Sequence, residues 1–177
     1  DSMYENSAYQ AALLFAQKVA LVASIDIDLI KRIPTQAGLG GASSNAATVL
    51  LLLNRLCFSP LNLEQLKELA LQLGSDIPFF LYQNPLALIT GRGEHITLLK
   101  GRSDLNGLVV MPNFLSVDTG NGYSSLERFS YNFADYYNEL INSYRLNVSS
   151  WPFENDFRAP LNKKTDLYHE LDSKVKT

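Results

Sequence analysis

The chain has 177 residues, 46% of them hydrophobic and 19% charged, and carries a net charge of −3 from 15 Lys and Arg against 18 Asp and Glu. That length buries a core in one or two small domains, and 10 Gly with 7 Pro exclude a collagen-like or disordered chain. One cysteine excludes an internal disulfide and a Cys-rich zinc site, two histidines are too few for a His-built metal centre, and the slight acidity leaves no cationic face for nucleic acid.

The first residues, Asp-Ser-Met-Tyr-Glu-Asn, have neither the basic start nor the apolar stretch of a signal peptide. A first residue other than Met suggests a piece of something longer. From residue 5 to 22, Ala8, Ala11, Ala12, Leu14, Phe15 and Val19 recur at helical spacing. Ile25, Ile27 and Leu29 then alternate with Asp26 and Asp28, which predicts a half-buried strand closed by Lys31-Arg32-Ile33-Pro34. A loop of small residues follows, Thr35 to Asn45, and runs into Ala46–Leu53, so uniformly apolar that a buried helix is expected. Asn62 with Gln65 three residues on is a capping-box pattern. It opens a helix with an apolar stripe of Leu63, Leu66, Leu69, Ala70 and Leu73, stopped by Gly74.

Ser75-Asp76-Ile77-Pro78 leads into the apolar run Phe79 to Tyr82. Strands are predicted at 86–90, 94–99 and 107–111, with Gly91-Arg92-Gly93-Glu94 as a hairpin turn. Residues 112–123 read as a loop, 132–144 as a helix, and the composition shift near 112 marks the expected domain boundary. No stretch approaches the roughly 20 apolar residues of a membrane span. Cys57 reads as core, His95 and His169 as ordinary surface or capping residues, and Lys31 and Arg32 as solvated strand ends.

Two segments carry chemistry. A strand, a glycine-rich loop and a buried helix suit phosphate, because glycines let successive N–H groups converge and the helix start adds unpaired donors. The loop fails both common glycine fingerprints: no Lys follows Gly41, and Ser43 stands where a dinucleotide fingerprint needs a third Gly. From glycine count alone, a tight strand-to-helix turn with serines as caps remains an equal reading. Asp76 before Pro78 reads as a helix cap on its own.

The run Gly38-Leu39-Gly40-Gly41-Ala42-Ser43-Ser44-Asn45-Ala46-Ala47 resembles the second motif of the GHMP kinases, and Leu73-Gly74-Ser75-Asp76-Ile77-Pro78-Phe79-Phe80 is similar to a later motif of that family. The resemblance implies an α/β fold of GHMP type, with a left-handed βαβ unit around the phosphate loop and the start of a second, ferredoxin-like domain. Residues 1–112 would be most of the ATP-binding domain and 113–177 the beginning of the second. ATP phosphates would lie on Pro34, Thr35, Gln36, Ala37, Gly38, Leu39, Gly40, Gly41, Ala42, Ser43 and Ser44, and Asp76 would be the catalytic carboxylate.

Ser-Ser-Asn-Ala-Ala after the glycines points to the branch that phosphorylates the 2-hydroxyl of a cytidine-diphosphate-linked methylerythritol in non-mevalonate isoprenoid synthesis. Thr119 and Tyr123 would meet that substrate, Tyr123 by stacking on the cytosine, although Asp118 and Gly120 depart from the family's pattern. Mg²⁺ would bridge phosphate oxygens; its protein ligands are unknown, with Ser44 one guess. A cytoplasmic kinase of a small molecule is thus implied. Another GHMP kinase, such as one acting on homoserine, and a non-catalytic nucleotide-binding module stay open as alternatives.

The family's N-terminal Lys motif has no counterpart here. Its C-terminal glycine loop has none either, since every glycine lies at or before Gly122. Asn155-Asp156 resembles a stretch opening the family's later helices. A fragment lacking both ends, with little activity alone, is the expectation.

Overall fold

A computed structural model of the chain describes residues 3–35, 37–110, 133–153, 155 and 170. The chain divides into two compact units, Asp1–Phe114 and Leu115–Thr177.

In the first unit, a short 3₁₀ turn at Met3–Glu5 precedes α1 (Ser7–Lys18), α2 (Gly41–Leu56), α3 (Leu63–Leu73), α4 (Ile77–Leu81) and the hairpin of β1 (Ala87–Thr90) and β2 (His95–Leu98). The two strands pair antiparallel, with Ala87 opposite Leu98 and Thr90 opposite His95. α1 packs on α2, and α4 fills the space between α2 and α3. Small residues make the tight contact possible: Ala11 and Ala12 of α1 and Ala46 and Ala47 of α2 are buried, and Phe15 and Leu50 are among the largest fully buried side chains. Leu66, Leu69 and Ala70 of α3 and Ile77 and Leu81 of α4 close the same core.

Between α2 and α3 the link is polar. Buried Asn54 donates through Nδ2 to the Leu61 carbonyl (2.9 Å) and accepts from the Leu61 N–H (3.0 Å). One side chain thus satisfies a donor and an acceptor of a loop that would otherwise bury them unpaired.

Several expectations are corrected. α1 ends at Lys18, not 22, because Ala20 takes a positive φ of 50° and breaks the ladder. α2 begins at Gly41, not Ala46, so the small residues after Gly40 are the first turn of the helix. Nor is α2 buried all round: Leu52 is 54% and Leu56 73% exposed. Its apolar uniformity hides a one-sided burial that runs through Ala46, Ala47, Leu50 and Leu53.

Residues 25–29 and 107–110 form no strand. Alternating side chains make a strand only where a ladder partner exists, and among the described residues the pairing is confined to 87–98. The strand on the N-terminal side of the expected βαβ unit is therefore not formed. In the second unit, α5 (Phe133–Tyr144) lies within a residue of its predicted span. Tyr144 stacks on Trp151 at 5.4 Å, and Trp151 tilts against Phe153 at 5.0 Å. No helix among the described residues is long and apolar enough to cross a membrane.

Candidate active site

The glycine turn is held open from one side and squeezed from two. Gly38 (φ +69°) and Gly40 (φ +66°) both occupy the left-handed region that disfavours a side chain. A Cβ on Gly40 would stand 2.9 Å from Cζ of Phe80, and one on Gly41 would stand 3.1 Å from Cγ2 of Ile33. Around Gly38 nothing lies within 4 Å of such an atom. Gly40 is the N-cap of α2, so no side chain caps this helix. The first four N–H groups of any helix lack intrahelical partners of the ordinary kind, and the helix start carries about half a positive charge. The Ser44 N–H closes on the Gly40 carbonyl at 2.8 Å. No side-chain cap serves Gly41, Ala42 and Ser43.

Asp76 comes from the sharp turn between α3 and α4. The Gly74 N–H bonds the Ala70 carbonyl at 3.1 Å and ends α3, and Pro78 sits in the first turn of α4. Asp76 occupies the N-cap position of α4, yet its carboxylate makes no cap hydrogen bond and is exposed. The helix-cap reading of this residue therefore fails as a hydrogen bond, although the position is right.

Asp76 and the glycine turn share one open cavity of about 300 Å³, lined by Gly38, Leu39, Gly40, Asp76, Phe79, Phe80 and Ile89. Phe79 and Phe80 meet edge to face at 5.2 Å and form its apolar wall. Chemically, the cavity brings the left-handed turn that leads into the start of α2 and the carboxylate-bearing Asp76 to the same opening. An anion held there would lie beside a proton acceptor.

Of the loop residues expected to hold phosphate, Gly38, Leu39 and Gly40 line this cavity. Pro34, Thr35, Ala37, Gly41, Ala42, Ser43 and Ser44 are described but do not line it. Gln36, Thr119 and Tyr123 lie outside the described residues. Lys31 and Arg32 are exposed, although the strand they were expected to end does not form, and Cys57 is half-buried against the core. Phe79, Phe80 and Ile89 were not legible as site residues: Phe79 and Phe80 read as an apolar run, and only the tertiary contact of Phe80 with Gly40 gives it a second meaning. Ser7 was also missed. Its hydroxyl donates to the Ala42 carbonyl at 3.0 Å and ties α1 to the first turn of α2.

Comparison with known proteins bears on the fold and the family. Residues 6–84 match the family described as GHMP kinases N terminal domain. A 4-diphosphocytidyl-2-C-methyl-D-erythritol kinase of Methylacidiphilum infernorum is 47% identical over 113 residues, which is 62% of this chain and 38% of that protein. The protein of the same name from Clostridium botulinum is 38% identical over 122 residues, 69% of this chain and 43% of the relative. A crystal structure of 4-(cytidine 5'-diphospho)-2C-methyl-D-erythritol kinase superposes with a TM-score of 0.72 at 28% identity, covering 99% of this chain and 63% of that one. The matches span about two fifths of the curated relatives' length. The chain has the GHMP kinase fold, and residues 6–84 match the N-terminal domain of that family.

Proposed function

We propose that this GHMP-fold chain is the nucleotide-binding part of an ATP-dependent kinase that phosphorylates the 2-hydroxyl of 4-diphosphocytidyl-2-C-methyl-D-erythritol, a cytoplasmic step of isoprenoid synthesis. One observation carries the reading: Asp76 and the turn Gly38–Gly40 open onto the same cavity. The kinases of that name to which the chain is similar support the acceptor.

In this reading the turn and the start of α2, within Pro34 to Ser44, hold the triphosphate. Backbone N–H groups meet its oxygens, and the helix dipole favours the charge. The acceptor hydroxyl oxygen bonds to the γ-phosphorus while the bond from that phosphorus to the β,γ-bridging oxygen breaks, and ADP leaves. The hydroxyl proton passes to the Asp76 carboxylate, a transfer worth roughly 10²–10⁴ in rate. Phe79, Phe80 and Ile89 keep water from one side of the cavity.

Magnesium favours phosphate oxygens, waters and one or two carboxylates. Asp76 is the carboxylate on the cavity, so the donor set fits a cation held mainly by the nucleotide. When bound, such an ion would neutralise charge on the phosphates. Thr119 and Tyr123 are assigned to the cytidine-diphosphate acceptor, residues 1–112 to the ATP-binding domain and 113–177 to the start of the second.

The test is phosphoryl transfer by the full-length protein, whatever flanks these 177 residues, from labelled ATP to the cytidyl acceptor and to homoserine. Transfer to the cytidyl compound alone is expected. Transfer to homoserine alone replaces the acceptor. ATP binding with no transfer to any acceptor leaves a nucleotide-binding module. The isolated 177 residues are expected to show little or no turnover, and robust turnover by them would contradict the division of labour proposed here.

A further inference from the structure

The hairpin turn between β1 and β2 lies against the residue that precedes the proposed catalytic carboxylate. Gly93 has φ +110°, and a Cβ built on it would fall 2.0 Å from the carbonyl oxygen of Ser75 and 3.2 Å from the Ser75 Cα. Those are backbone atoms, which cannot swing aside as a side-chain tip can. No other glycine described comes so close to backbone. The contact is therefore a full backbone-to-backbone approach that only glycine permits, and its far side is the Ser75–Asp76 peptide.

The turn that delivers Gly93 is held by its own carboxylate. Glu94 Oε2 accepts from the Arg92 N–H, and backbone N–H groups of Glu94 and then Arg92 hold its carboxyl below the ordinary value of 4.5. A Cβ on Gly91 (φ +70°) would stand 2.5 Å from Glu94 Oε1, so the carboxylate tucks into the space glycine leaves. The Gly93 N–H bonds the Thr90 carbonyl at 3.4 Å and closes the turn on β1. The same strand ends near the site, since Ile89 lines the cavity with Asp76.

We infer that the Gly91–Glu94 turn is the backing of Asp76. Gly93 presses on the Ser75 carbonyl, Glu94 fixes the turn that carries Gly93, and both act as positioning residues for the carboxylate that takes the acceptor's proton. The inference rests on the kinase reading for its catalytic consequence, but its geometric content stands apart from that reading. A side chain at position 93 is strained at φ +110° by itself, and a turn that merely joined two strands would bear that cost alone, without meeting the Ser75 carbonyl. This one would have to push the Asp76 backbone toward or away from the glycine turn, and misplacement of a proton acceptor by about 1 Å costs on the order of 10² in rate.

The test compares Gly93→Ala, Glu94→Ala and Glu94→Gln with Gly107→Ala in the full-length protein. Gly107 has nothing within 4 Å of a built Cβ and serves as the control. Gly93→Ala is expected to lower kcat by about tenfold to a hundredfold with the KM for ATP within about twofold, because the glycine turn that meets the nucleotide is untouched. Glu94→Ala is expected to lower kcat by a few fold, and Glu94→Gln, which keeps an acceptor oxygen for the Arg92 N–H, to restore most of it. Equal loss of kcat in the alanine and glutamine variants, or a rise in ATP KM with kcat unchanged, overturns the inference. If Gly93→Ala does not fold, the Glu94 pair decides.

Should the wild-type protein transfer phosphate to no acceptor, the kinase reading has failed. The positioning claim is then decided by amide spectra: Glu94→Ala must shift the Asp76 and Ile77 resonances more than those of α1, and unmoved Asp76 and Ile77 signals overturn it.

Discussion

α2 and α3 begin in opposite ways. α3 starts at a complete capping box: the Asn62 side chain accepts from the Gln65 N–H at 3.0 Å, and the Gln65 side chain accepts from the Asn62 N–H at 2.9 Å. α2 starts at a glycine in the left-handed region with no side chain to offer. Both helices face the same deficit of N–H partners. α3 meets part of it within its own sequence, through the Gln65 N–H and the Asn62 side chain. α2 has no such side chain, and in the proposed reading its first turn, together with the glycine turn that lines the cavity with Asp76, is left to the nucleotide. A capped helix start contributes stability, and under the proposed reading the uncapped one contributes binding, so the two should respond differently to substitution.

The widest separation is expected at Asp76. In the full-length protein, Asp76→Asn should reduce kcat by about 10² or more with little change in ATP KM, read by steady-state kinetics of phosphoryl transfer. A change within threefold would remove Asp76 from the chemistry. Next, Gly40→Ala forces a side chain into φ +66° and against the Phe80 ring. ATP affinity, measured calorimetrically, should fall about tenfold, and Gly40→Ala combined with Phe80→Leu should recover part of it.

At α3 the pattern reverses. Asn62→Ala should destabilise the fold by about 1 kcal/mol, seen as a lower denaturant midpoint, and leave ATP affinity unchanged. Smallest is the pair Lys67–Glu64 at 3.1 Å on the same helix. Glu64→Gln should cost under about 0.5 kcal/mol. The hydrogen bond to Glu64 holds the Lys67 ammonium above its ordinary 10.5. Its contribution is therefore complete below 10.5 and lost as pH rises through the raised value. The difference between wild type and Glu64→Gln, followed by denaturation against pH, should vanish there. If Asn62→Ala weakened ATP as much as Gly40→Ala, the contrast between the two helix starts would be broken.

The readable parts of the molecule were those whose physics is local. The capping box of α3 and its leucine stripe depend on residues three and four apart, so sequence spacing suffices. The span of α5 follows from the same periodicity. The glycine turn was legible because Gly38 and Gly40 supply conformations that other residues avoid. The first turn of α2 was not, since Gly41-Ala42-Ser43 reads as loop until Ile33 and Phe80 are seen to wedge the turn against it. Positive φ at Ala20 leaves no trace in composition. The alternation at Ile25–Leu29 promised a strand, but a strand is a property of two segments, and the alternation describes only one. Phe80 and Gly93 owe their meaning to backbone 40 and 18 residues away along the chain, Gly40 and Ser75, and no pattern within either segment carries that.

The two hydrogen bonds between Asn54 and Leu61 have a kinetic corollary. The Leu61 amide lies in a connecting segment, where protons ordinarily exchange with solvent quickly, yet it is buried and its acceptor belongs to the last turns of α2. Its deuterium uptake should therefore be as slow as that of the helix interiors, and it should be lost together with them when the helices separate, which makes this one loop proton a reporter on whether α2 and α3 open as a single unit.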